Sequence, residues 1–248
     1  MLEKNNSMQG KVKTSVLQHA QVSRRKFFNY AGLSAAVMVV GSSCQKDFRG
    51  GVPAAPFAQD DPQNKPPNVV QLGSGDIGIL NYAYALEQLE AAFYIKVVSS
   101  FYTGATDKEK VYLEDIRDHE IAHREFFKNA LGAAAIPNLL VNFRSIDFNS
   151  RASVLGTAKA FEDLGVSAYN GAGELLVSPD YLLLAGKIVS VEARHAATIR
   201  DLLDYGSFAG PDVVNAQGLD VVRTPDEVVA IASQFLTTKL LTNKLPKS

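Results

Sequence analysis

The chain has 248 residues, which suits one ordinary domain with extensions, and its formal charge is −1. Lys4, Lys11, Lys13, Arg24, Arg25 and Lys26 face only Glu3 in the first 44 residues, so the rest is mildly acidic; with no basic run there, nucleic acid is excluded as a natural partner. The single cysteine, Cys44, excludes an internal disulfide framework and a thiolate zinc cluster.

Taken in chain order, residues 1–44 read as an export signal rather than as fold. SRRKFF (Ser23 to Phe28) is soon followed by AGLSAAVMVVGSS, an uncharged run of thirteen residues that ends at Cys44. A helix needs about 20 apolar residues to span a bilayer, so a basic region before so short a run predicts a signal. The paired arginines with Phe27 and Phe28 resemble a twin-arginine (Tat) signal. The small residues before Cys44 resemble a lipoprotein cleavage site, although Gly41 stands where leucine is usual. That resemblance implies an exported protein, periplasmic or anchored to the membrane through a lipid on Cys44. An unmodified cysteine beside an ordinary cleavage site is the alternative.

Residues 45–75 are rich in Pro, Gly, Asn and Asp and read as a flexible linker. Helical periodicity then predicts helices over about 76–101 and 106–131, the second opened by the capping box T-D-K-E. A loop through Pro137 and Asn149 leads to a third helix over about 152–176. Ser178 and Pro179 start a fourth, which ends near Tyr205 and Gly206. Residues 76–205 thus form a four-helix bundle. In the extension 206–248, T-P-D-E (Thr224 to Glu227) caps a short fifth helix reaching about Leu240. The fold class is all-α.

Each long helix carries acid on its apolar stripe. The third runs Leu155, Ala158, Glu162, Gly165, Val166, Tyr169, Ala172, Leu176, and the fourth Leu184, Ile188, Glu192, His195, Ile199, Leu202. The second gives Leu113, Ile116, Glu120, His123, Phe127, Leu131, and the first Leu80, Tyr84, Glu87, Ala91, Tyr94, Val98. A buried carboxylate costs several kcal/mol without a partner or a metal. The intrusions also repeat. LEQLEAAFY (Leu86 to Tyr94) parallels FEDLGVSAY (Phe161 to Tyr169), and EIAH (Glu120 to His123) parallels EARH (Glu192 to His195). A helical hairpin is therefore written twice, each copy carrying one Glu and then one Glu-x-x-His.

Four carboxylates and two imidazoles can neutralise and ligate two divalent cations, and the i, i+3 spacing lets each Glu-x-x-His grip one ion. Mixed oxygen and nitrogen ligands suit iron or manganese. HEIAH (His119 to His123) also spells a zinc-protease motif, with His119 and His123 as ligands and Glu120 as base. In that alternative Phe126 stands where the extended motif wants glycine and Asn129 where it wants the third histidine, no Glu occurs between Glu125 and Glu162 to serve instead, and EARH is left unexplained. His119 aligns with Val191, so it reads as a surface or partner-facing histidine. Glu90 aligns with Gly165 and reads as a rim or exposed glutamate.

The order Glu, Glu-x-x-His, Glu, Glu-x-x-His resembles the ferritin-like di-iron carboxylate superfamily. The wording LEQLEAAFY, HEIAH, FEDLGVSAYNGAG and EARHAA is most similar to the secreted ferritin-like, desiccation-related proteins of bacteria. The resemblance covers about residues 76–205 and implies an antiparallel bundle with two iron ions, or manganese, between the helices. It implies Glu87, Glu120, His123, Glu162, Glu192 and His195 as ligands, with Tyr94 and Tyr169 as hydrogen-bonding neighbours or plain core. Redox chemistry with dioxygen or peroxide, of peroxidase, catalase or ferroxidase type, or iron handling in an oligomer, would follow. A metal-free structural or stress-related bundle is the alternative.

Overall fold

The computed structural model describes residues 67–247. The readings made on residues 1–66, the export signal and Cys44 among them, lie outside the described residues. Five α-helices follow one another: α1 (Gly75–Ser99), α2 (Asp107–Leu131), α3 (Arg151–Gly173), α4 (Pro179–Leu203) and α5 (Pro225–Ala232). Local chemistry sets their starts. Thr106 and Glu109 close a reciprocal capping box on α2, Ser178 caps α4 ahead of Pro179, and Thr224 with Glu227 repeats the box on α5. Each of these caps satisfies an orphan amide of the first turn.

Helices α1 and α2 form one hairpin and α3 and α4 another, and the two meet through α1 against α3 and α2 against α4. This is an all-α bundle with a short C-terminal helix. A crossover through residues 132–150 joins the hairpins, and it runs along the outer side of α1. Two buried amides hold it there. Asn81 donates to the carbonyls of Leu72 and Ala134 and accepts from Ile136 N at 2.9 Å; Gln88 accepts from Leu139 N at 2.8 Å. With the bundle on one side and the crossover on the other, α1 is buried at every residue from Gly78 to Tyr94.

Two boundaries differ from the sequence expectation. The linker's last residues include a strand, β1 (Val69–Gln71), which pairs in parallel with β2 (Lys239–Leu241); Val70 and Leu72 are core. The fifth helix stops at Ala232, well short of Leu240. Past a 3₁₀ turn its backbone groups are claimed from outside: Thr237 N donates to Leu140 O at 2.7 Å, and Lys239 N donates to Asn68 O at 2.8 Å. Tertiary partners override a sequence that reads as helix. The extension is also clamped onto the second hairpin, since buried Arg200 makes a paired contact to Asp163 and reaches Asp212. Among the described residues, no helix is long and apolar enough to cross a membrane.

Candidate metal centre

The four helices bring all six expected ligand residues together in mid-bundle. Glu87 (α1), Glu120 (α2), Glu162 (α3) and Glu192 (α4) are fully buried, His195 nearly so, and His123 keeps a slight opening. Their donor atoms fall into two overlapping groups. One is Glu87, Glu120, Glu192 and His123; the other is Glu162, Glu120, Glu192 and His195. Within each, the donor atoms lie within 4.8 Å of one another. Glu120 and Glu192 belong to both.

The distances show how they are shared. His123 Nδ1 lies 2.8 Å from Glu192 Oε1, 3.5 Å from Glu87 Oε2 and 3.9 Å from Glu120 Oε2. His195 Nδ1 lies 2.9 Å from Glu120 Oε1, 3.5 Å from Glu162 Oε2 and 3.7 Å from Glu192 Oε2. Each shared glutamate thus turns one oxygen to either imidazole. The two halves match to a few tenths of an ångström, as the doubled hairpin requires.

The tyrosines cross between the halves. Tyr94 on α1 donates to Glu162 Oε1, and Tyr169 on α3 donates to Glu87 Oε1. Neither serves the glutamate of its own helix. The effect is to tie down one oxygen of each unshared glutamate and leave Oε2 aimed at the cluster. Burial raises both phenols well above the ordinary range, and the adjoining carboxylate adds to this, so each stays a proton donor.

Whether the set suits a metal can be judged from its unsatisfied atoms. Glu87 Oε2, Glu162 Oε2, both oxygens of Glu120 and Glu192, and Nδ1 of both histidines are buried without a hydrogen-bond partner. The short Nδ1 to oxygen distances do not contradict this, because the atoms are close without the alignment a hydrogen bond needs. Lone pairs that converge on a common space instead of on each other are what a cation demands. The donor set, carboxylate oxygen with imidazole nitrogen, fits a pair of first-row metal ions.

The electrostatics agree. Burial opposes the charged form of His123, yet Glu192 and Glu87 hold it up at about 10; His195 is raised in the same way by Glu162 and Glu120. Burial would lift Glu192, but the two imidazoles bring it down to about 2. Glu162 rises to about 6, through burial that His195 only partly offsets, and burial with the neighbouring Glu192 carries Glu120 well above its usual range. The two imidazoles and Glu120 thus hold protons where cations would otherwise supply the positive charge.

Two residues depart from the sequence reading. Glu90 is not at the rim: it is 4 % exposed, inside the bundle, and its Oε2 has no partner. Periodicity could not place it, because α1 is buried all round. His119 is exposed as expected, but its ring stacks on His195 and its Nδ1 lies 2.9 Å from His195 Nε2. When His195 Nδ1 offers a lone pair, Nε2 carries the hydrogen and donates it to His119, which fixes the tautomer. Among the described residues His119 joins no metal-binding group with His123, so the zinc-protease arrangement is not formed.

A cleft of about 220 Å³ beside Gly171, Arg223 and Pro225 touches none of these residues. A family model described as a ferritin-like domain matches residues 75–205, from the first residue of α1 to just past α4. No curated protein matches the chain.

Proposed function

The chain belongs to the ferritin-like domain family, and we propose that its buried cluster holds two iron ions, with manganese as the alternative, for redox chemistry with dioxygen or peroxide or for iron handling in stress protection. One observation carries this reading: two corresponding groups of buried, unpartnered donors, one from each pairing of the repeat, share Glu120 and Glu192. A bundle serving only as scaffold would have no use for so many buried polar atoms without hydrogen-bond partners, each of which costs stability.

Glu87 and His123 would hold one ion and Glu162 and His195 the other, with Glu120 and Glu192 within reach of both. Such a pair, when bound, supplies two adjacent metals whose oxidation state can change by one electron each. Tyr94 and Tyr169 each occupy one oxygen of an unshared glutamate, so that each glutamate would offer an ion only its Oε2. His119 orients His195 and offers the buried centre a polar contact at the surface. The hydrophobic core of the bundle, with Phe127 and Ile199 each one turn beyond His123 and His195, limits the access of bulk water. On the same reading the protein is exported by a twin-arginine signal, works in the periplasm or from a lipid anchor on Cys44, and is of the secreted, desiccation-related type.

Elemental analysis of protein purified from its native export route tests the proposal. About two iron or manganese ions per chain are expected, and almost none in the Glu120→Ala, Glu192→Ala double variant. Equal metal content in both proteins would refute it. Consumption of peroxide by the metal-loaded protein then separates redox chemistry from storage.

A further inference from the structure

Glu90 is a buried carboxylate in the centre that neither four-residue group uses. Its surroundings show where it is aimed. In the doubled hairpin Glu90 aligns with Gly165 on α3. A Cβ at Gly165 would lie 3.1 Å from Glu90 Oε1 and 3.7 Å from Glu192 Oε2. The glutamate of the first half therefore fills the volume that the second half leaves vacant by having glycine. There it sits beside the oxygen that Glu192 turns toward His195. Glu90 Oε2 has no hydrogen-bond partner. A carboxylate buried beside four others, with one oxygen unpaired, is costly in any role except binding a cation.

We infer that Glu90 is a fifth carboxylate ligand of the centre, reaching from the Gly165 side to the ion that Glu162 and His195 hold; this rests on the metal-pair reading above. The two ions are then unequal. The His123 side has one unshared carboxylate and the His195 side has two. Richer oxygen ligation makes the His195 side the harder site, better matched to manganese or ferrous iron than to a softer ion. Gly165 is the complementary element, since any side chain there would push the Glu90 carboxylate away.

Manganese(II) titration by calorimetry, with thermal melting of the metal-free and loaded protein, tests this on the full chain. Wild type should bind two ions. Glu90→Gln, which keeps the shape, should weaken one of the two by about tenfold or more. Gly165→Ala, which leaves Glu90 in the sequence but displaces it, should do the same. Adding His195→Ala to Glu90→Gln should weaken the same ion, whereas adding His123→Ala should weaken the ion that remained. Metal-free Glu90→Gln should melt no lower than metal-free wild type, because an acid crowded by four others has gone, while its gain on adding manganese shrinks. Should Gly165→Ala fail to fold, Glu90→Gln decides alone. Wild-type affinity at both sites in Glu90→Gln, or equal weakening of both, overturns the inference and leaves the metal pair standing. A wild type that binds no manganese, indistinguishable from the Glu120→Ala, Glu192→Ala variant, overturns the pair and this inference with it.

Discussion

The first hairpin and the second carry the same candidate ligands in different settings. Glu87, Tyr94, Glu120 and His123 in α1 and α2 have counterparts in Glu162, Tyr169, Glu192 and His195 in α3 and α4, and their distances across the centre nearly coincide. Away from those positions the halves diverge, and three of the unmatched pairs bear on function. Glu90 faces glycine, His119 corresponds to Val191, and exposed Lys96 corresponds to Gly171. The matched positions define what the two donor groups share. The unmatched ones define where one half has taken on something the other lacks: an extra carboxylate, an outer histidine, a docked C-terminal segment.

The largest effect is expected at Gly171. A Cβ there would lie 1.9 Å from the backbone oxygen of Arg223, whose segment is fastened to α3 through Arg223 Nη1 donating to Ser167 Oγ at 2.8 Å. Gly171→Ala should cost at least ~3 kcal/mol by denaturant melting, a backbone clash that cannot relax cheaply. Its counterpart Lys96→Ala should cost about half a kcal/mol, the loss of an exposed contact over Phe148. Similar losses at the two positions would show that the extension does not distinguish the halves.

His119→Ala should weaken metal binding by about tenfold, as losing the partner of a ligating imidazole does, with little change in the melting point of the metal-free protein. Val191→Ala should leave affinity unaltered. An unchanged affinity in His119→Ala would mean that the stacked pair is only surface packing.

The smallest effect concerns a contact that ties the hairpins together. Burial opposes charge on Glu109, but the Thr106 amide and hydroxyl and the Arg151 guanidinium outweigh it and bring the carboxyl down to about 2. A folded value below the ordinary one near 4.5 means that the stabilisation is complete above pH 4.5 and fades as pH falls toward 2. The melting difference between wild type and Glu109→Gln should shrink over that window. A difference independent of pH would remove the ion pair from the account.

Much of the centre was legible in the sequence because it violates a rule. Single acids on apolar stripes, at Glu162 above all, stand out by periodicity, and duplication turns weak motifs into a joint signal. Glu90 escaped because α1 lies between the bundle and the crossover, so that no face of the helix is left to read as outside. The roles of Asn81 and Gln88 depend on amides from residues 136 and 139, which no local pattern reveals. The early end of α5 has the same origin, since Leu140 and Asn68 claim backbone groups that a longer helix would have used. The cross-pairing of Tyr94 and Tyr169 needs the relative placement of the hairpins, although their common spacing from Glu87 and Glu162 marked them as a pair.

The central claim is that this cluster holds two ions bridged by Glu120 and Glu192. Anomalous scattering from crystals of the iron- or manganese-loaded protein tests it most directly. Two peaks are predicted, one against Glu87 and His123 and the other against Glu162 and His195, both in contact with Glu120 and Glu192. A single peak at His119 and His123, or none within the bundle, would contradict the account.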